Sequence, residues 1–289
     1  MTIPPHDPSS YPSPGAQGQW GQPAAPQAAP GAPSPAPQRS WAPADAAAPG
    51  QGAASGPAPG TDLAADLGAA LSFSGVALLR NPVTYLVSGL IYCAIYLLII
   101  GGGFVGGIAA MIAVMGDPYS SDSDELLGVL ALYGVLLAAM LVAMPFALVW
   151  QSGSARAAEI VREGGRPTLG QAMVGPMRVI LTALLYAAIV LVGMLLLYIP
   201  GLIAAVLFMF SVPAAIRGAS PVEALKESFT LVKNNLGTAI VGYLVLMIAA
   251  SIGSTIIVGV LVLTPFMMLF ELGLYERLNG RRLPEPAKA

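Results

Sequence analysis

From residue 61 onward the chain alternates long apolar runs with short polar breaks. The runs cover 85–115, 126–150, 179–197, 202–216, 237–250 and 255–274. A helix that crosses a bilayer needs about 20 apolar residues. The pattern therefore predicts an all-α polytopic membrane protein with six transmembrane helices in three hairpins. The fourth and fifth runs are short and borrow residues from their flanks, while the first must tilt or protrude. Each hairpin is preceded by a short amphipathic stretch of the form Leu-x-x-Ala/Ser-apolar, at 67–71, 169–173 and 225–229. Each also carries a proline in its second helix, Pro145, Pro213 or Pro265. This order predicts three copies of one unit, a cytoplasmic surface helix followed by a hairpin.

The third surface helix has the clearest local signature. Ser220-Pro221-Val222-Glu223 is a capping-box sequence with proline in the first helical position. Val222, Leu225, Phe229, Val232 and Leu236 recur at spacings of three and four, which predicts one apolar stripe. Glu223, Lys226, Glu227 and Lys233 lie off it. Such a helix is expected in the membrane interface.

The segments Tyr198-Ile199-Pro200-Gly201-Leu202-Ile203, Ser211-Val212-Pro213 and Ala219 through Phe229 carry a family resemblance. The chain resembles a bacterial superfamily of six-helix membrane proteins. That superfamily includes the membrane domain fused to some glycerophosphodiester phosphodiesterases, the YciC-like inner-membrane proteins and uncharacterised actinobacterial proteins with Pro-rich N-termini. The likeness is best over residues 167–277 and extends from residue 63. It implies a six-helix membrane domain and supplies no catalytic residues. The phosphodiesterase domain itself is expected to be absent from these 289 residues.

Charge sets the expected orientation. All 13 Lys and Arg residues fall in the two terminal segments or in the 151–178 and 217–236 connections, on one side of the six spans. The opposite side receives none and carries an acidic loop with Asp117, Asp122, Asp124 and Glu125. The positive-inside rule then places both termini in the cytoplasm and the spans in the plasma membrane. Composition agrees: 56% of residues are hydrophobic, 10% are charged and the mean hydropathy is +0.73. Soluble domains carry about 25% charged residues, so a soluble enzyme and a disulfide-stapled secreted domain are excluded. A net charge of −2 gives no basic bias toward nucleic acid.

Three segments follow: a tail at 1–60, the transmembrane domain at 61–277 and a short cytoplasmic tail at 278–289. The first holds 15 of the 26 prolines and 8 glycines. It cannot bury enough apolar surface to offset its ordering entropy, and it is expected to be disordered. It does not read as a signal peptide. Its Pro-x-x-Pro spacings and Tyr11, Trp20 and Trp41 suit it to docking protein partners.

Candidate chemistry is sparse. The single histidine, His6, lies in the tail, and Cys93 is the one cysteine. No catalytic, cofactor or metal site is therefore expected, and the chain is not expected to be an enzyme. The glycines at 101–103, 106 and 107 read as helix packing through Gly102/Gly106 and Gly103/Gly107, with Gly134/Ala138 at the same spacing. The acidic loop is expected to be solvated. Glu271 reads as an interfacial carboxylate near Glu276 and Arg277. Tyr85, Tyr92, Tyr96, Tyr186, Tyr243, Thr182, Ser211, Ser254 and Thr264 are suited either to interhelical hydrogen bonds or to a cavity for an amphiphile.

The expected function is a non-enzymatic membrane protein that serves as an assembly scaffold or accessory factor of the cell envelope. Its partners would be membrane lipids and proteins reached by the tail. The alternative is a transporter or lipid-handling protein for a small amphiphile. Three hairpins with Pro-bent spans are similar in outline to mitochondrial carriers. Phe-Ala, Ala-Ala and Phe-Met, however, follow the three prolines where carriers place an acidic residue.

Overall fold

The computed structural model of the chain describes residues 57–116, 121–255 and 257–287. The expected disorder of the tail falls outside these residues, apart from its last four. Among the described residues the regular elements are all helical, with no strand. Helix α1 (Leu63–Arg80) starts where the Asp62 carboxylate accepts a hydrogen bond from Ala65 N at 2.7 Å. It stops at Asn81, because Pro82 follows and opens α2 (Pro82–Tyr96). A π-helical turn, Leu97–Gly101, then passes directly into α3 (Gly102–Met115). Helix α4 (Asp122–Arg162) has 41 residues and runs unbroken through Pro145. At 1.5 Å per residue it is about 60 Å long. Its last turns are polar and extend well past the apolar run that ends at Trp150.

The second half of the chain is built from shorter pieces. Helix α5 (Leu169–Met173) is one capped turn, held by Thr168 and Gln171. Helices α6 (Met177–Leu196) and α7 (Tyr198–Leu207) are separated by Leu197 alone. The Ile-Pro-Gly segment makes this hairpin tight: a Cβ on Gly193 would lie 2.7 Å from Gly201 Cα. After a turn at 208–210 come α8 (Ser211–Ile216) and α9 (Pro221–Asn234). The Ser220 hydroxyl and amide both bond to Glu223, the amide at 3.1 Å, and hold its pKa below the ordinary carboxylate range. Helices α10 (Leu236–Thr255) and α11 (Ile257–Leu278) complete the fold.

Among the described residues, seven helical stretches are long and apolar enough to cross a membrane. Six correspond to the expected spans, and the seventh is α1, which the apolar runs left as a surface stretch. The seven differ in burial. Helices α3, α4, α6 and α10 expose Val105, Leu137, Leu195 and Ile248 among many other large apolar side chains. Helices apolar on all sides are suited to an apolar environment. The core gathers α1, α8, α9 and α11 with the polar end of α4, where Phe73, Val161, Phe210, Val232, Leu269 and Leu274 are buried.

One of the two expected glycine pairs forms the α3–α4 seam. A Cβ on Gly103 would sit 2.4 Å from Ala139 Cβ, and one on Gly107 would sit 2.8 Å from Leu132 Cδ1. Gly102 and Gly134 face open space. Close backbone approach of this kind is what small residues permit in apolar helix pairs. Overpacking of a tight contact costs about 1–3 kcal/mol. Gly103→Leu is therefore expected to lower the melting temperature of the detergent-solubilised protein clearly, whereas Gly134→Ala leaves it unchanged or slightly raised.

Candidate functional site

Ion pairs link α1, α4, α8 and α11 into one cluster. Asp66, in the first turn of α1, and Arg277, in the last turn of α11, are 1% and 9% exposed. Their Oδ1 and Nε atoms are 2.8 Å apart, and Gly60 N also donates to Asp66 Oδ1 at 3.1 Å. Beside this pair runs a chain of alternating charge. Arg162 grips Glu159 through two bonds of 2.7 and 2.8 Å on the polar end of α4. Glu159 reaches Arg217 at 3.2 Å, Arg217 reaches Glu276 at 3.3 Å, and Glu276 reaches Arg281 at 3.2 Å.

Backbone geometry places these groups. Arg217 is the C-cap of α8, where a cation meets the negative end of the helix. Gly218 follows at φ +119°, a conformation that favours glycine, and it lets the chain turn into α9. Arg178, at the start of α6, donates to the Ala215 and Ile216 carbonyls at 2.9 and 3.2 Å. The end of α8 thus receives two arginines. Tyr275 Oη donates to Glu227 and ties α11 to α9. Arg80, at the far end of α1, pairs with Glu285 at 2.6 Å and donates to the Pro286 carbonyl.

Residues singled out from the sequence are distributed as follows. Glu271 is 8% exposed and forms no hydrogen bond or ion pair among the described residues. It is buried within the protein. Asp122, Asp124 and Glu125 form the first turn of α4, where the helix dipole favours acidic groups. Asp117 lies outside the described residues. Several of the polar residues of the spans bond to backbone carbonyls. Tyr92 Oη donates to Met173 O at 2.7 Å and its ring stacks on Trp150 at 5.5 Å. Tyr186 Oη meets Ala205 O at 3.4 Å, and Thr182 bonds to Arg178 O within its own helix. Tyr85 Oη and Ser211 Oγ are buried without a partner. Among the described residues no group of three His, Cys, Asp or Glu is placed to hold a metal ion. A small crevice is lined by the apolar residues Ala155, Val212, Pro213, Ile216, Met268 and Leu272.

Sequence reasoning missed the ionic cluster. Asp66 and Arg277 are 211 positions apart, and no periodicity links them. The one available signal was an aspartate on the mainly apolar face of α1 that also carries Ser74.

Comparisons with known proteins give a family-level match for part of the chain. Residues 160–286 match a domain of unknown function, DUF7847. This region holds Arg162, Arg217, Glu276, Arg277 and Arg281, while Asp66 and Glu159 precede it. The chain is 32% identical over 112 residues to the uncharacterized proteins Rv2560 of Mycobacterium tuberculosis and Mb2590 of Mycobacterium bovis. That stretch covers 38% of this chain, and it spans about a third (34%) of the length of these relatives. None of these matches is a glycerophosphodiester phosphodiesterase or a YciC-like protein. No solved structure matches the chain.

Breaking a buried pair by removing one partner strands the other charge, at a cost of about 3–5 kcal/mol. Arg277→Ala and Asp66→Ala are each expected to lower thermal stability by that order. The double variant Asp66→Leu/Arg277→Met, which strands no charge, should be more stable than either single change. A double-mutant cycle on the full chain in detergent measures this.

Proposed function

We propose that this chain is a multi-pass membrane protein with six spans and cytoplasmic termini. In this reading it has no enzymatic activity and acts as an assembly scaffold or accessory factor of the cell envelope. The observation that carries the scaffold reading is the ionic cluster. Arg162, Arg217, Arg277 and Arg281 are spent on the protein's own carboxylates. The cluster ties α1, α4, α8 and α11 into one fixed platform, and the crevice nearby is apolar. A transporter of charged or polar solutes would instead present such groups to a cavity. The resemblance to the six-helix superfamily of phosphodiesterase membrane domains and YciC-like proteins belongs to this proposal.

The count of six rests on the two ends of α1. Asp66 is bonded to Arg277, and Arg80 to Glu285 and Pro286. The segment between, 279–287, is non-helical and carries Arg281, Arg282 and Glu285. Such a backbone cannot cross hydrocarbon with its polar groups unpaired. Both ends of α1 then lie on one side of the membrane, and α1 is a surface helix.

Cysteine labelling in intact cells, in a Cys93→Ser background, checks the topology. Cysteine at Ser121 should react with an impermeant reagent, and cysteine at Gly170, Ala64 or Leu79 should react only after permeabilisation. Opposite behaviour of Ala64 and Leu79 would make α1 a seventh span. Ser152 is a poor probe for the basic side, because it is buried and accepts a hydrogen bond from Gly175 N at 3.1 Å.

Function is checked by extraction in a lipid-preserving polymer, with and without residues 1–60, followed by mass spectrometry. The scaffold reading expects a stoichiometric protein partner that disappears with the tail. A specific lipid retained by both forms, with no protein partner, would favour the lipid-handling alternative.

A further inference from the structure

The packing of α9 leaves one of its flanks without a partner. The expected stripe ran through Val222, Leu225, Phe229, Val232 and Leu236. The structure instead buries Ala224, Leu225, Ser228 and Val232 against the bundle. Val222 and Phe229 remain 55% and 42% exposed, and Leu236, the first residue of α10, is exposed as well. At 100° per residue, Val222, Lys226, Phe229 and Lys233 fall within about 60° of arc. The surface beyond the lysines is polar, with Glu223, Thr230 and Asn234 exposed.

Helix α9 therefore has three sectors: one against the protein, one apolar and exposed, and one polar. Lys226 and Lys233 stand on the border between the last two. From there their stems can lie along apolar material while the ammonium groups reach a polar layer. Neither forms an ion pair among the described residues; Glu223, bonded to the Ser220 cap, is the carboxylate that also attracts Lys226. Beyond Asn235, Leu236 begins an exposed apolar stripe of α10 that continues through Ile240, Leu244 and Ile248. The flank thus stands at the foot of an apolar column and carries positive charge where that column ends.

We propose that this flank of α9 is seated in the headgroup layer of the adjoining leaflet. Val222 and Phe229 enter the acyl boundary, and Lys226 and Lys233 bind the phosphates of anionic glycerophospholipids. The geometry is that of an interfacial amphipathic helix, and the lysines supply the charge complement to an anionic leaflet. This inference rests on the membrane reading above.

The test uses the full chain reconstituted in bilayers of phosphatidylglycerol and phosphatidylcholine. A tryptophan introduced by Phe229→Trp is compared with one introduced by Leu244→Trp on α10, each corrected for the parent protein's fluorescence. Lipids brominated near the headgroup should quench both. Spin-labelled phosphatidylglycerol should associate in preference to phosphatidylcholine. That preference should fall about fivefold for each lysine removed by Lys226→Gln or Lys233→Gln. Lys226→Arg and Lys233→Arg should retain it, and the melting temperature should not move because both side chains are exposed. Quenching at Leu244→Trp without quenching at Phe229→Trp would overturn the inference and leave the membrane reading standing. Quenching at both without an effect of the lysine changes would overturn phospholipid recognition. Quenching at neither would overturn the membrane reading itself.

Discussion

An arginine cannot be brought to near-complete burial beside apolar helices unless its charge is met, and in this fold Asp66 meets Arg277. Burying either ion alone would cost several kcal/mol after relaxation. The 2.8 Å contact, with Gly60 N as a further donor to the carboxylate, offsets that cost. The two partners come from opposite ends of the described chain. The pair therefore fixes where α1 lies along α11, with Ala70 next to Gly273 one turn further in. The C-terminal segment is then led back to Arg80, so that both ends of α1 are tied to residues 277–286.

A second set of charges extends the same logic to the rest of the base. Arg217 stands between Glu159 of α4 and Glu276 of α11 while closing the end of α8. Each carboxylate is shared by two arginines, Glu159 by Arg162 and Arg217, and Glu276 by Arg217 and Arg281. Like charges are kept apart by this alternation, and no member depends on a single exposed pair. Isolated surface pairs contribute little. A partly buried network of this kind acts mainly on geometry, because wrong helix arrangements would leave charges unmet.

Much of the helical fold was legible in the apolar runs, since each corresponds to one long helix or a closely joined pair. What the runs could not carry was anything built from polar or small residues. Helix α4 continues to Arg162 through Gln151-Ser152-Gly153-Ser154, where hydropathy has already dropped. The buried face of α9 coincides only in part with its apolar stripe, for a related reason. Ala224 and Ser228 are small and score poorly as apolar, yet they allow the close approach that buries them. Phe229 and Val222 score well and are left outside. The ionic cluster was invisible because pairing between distant positions leaves no trace in local spacing, and the burial of Glu271 depends on neighbours that only the fold brings together.

Ser228 shows why small polar residues govern this region. The turn at 208–210 interrupts the Tyr198–Ile216 stretch and frees backbone groups from the helical ladder. Buried groups of that kind require partners. Ser228 Oγ accepts from Phe210 N at 3.1 Å and donates to Leu207 O at 2.9 Å, which satisfies both sides of the break. A larger apolar residue at 228 would strengthen the stripe on paper and leave both groups orphaned. The break between α7 and α8 therefore exists because α9 is there to complete it, and α9 holds its orientation because the break does. Its unpartnered flank of Val222, Phe229 and two lysines is in this sense fixed by a hydroxyl on the opposite side of the same helix.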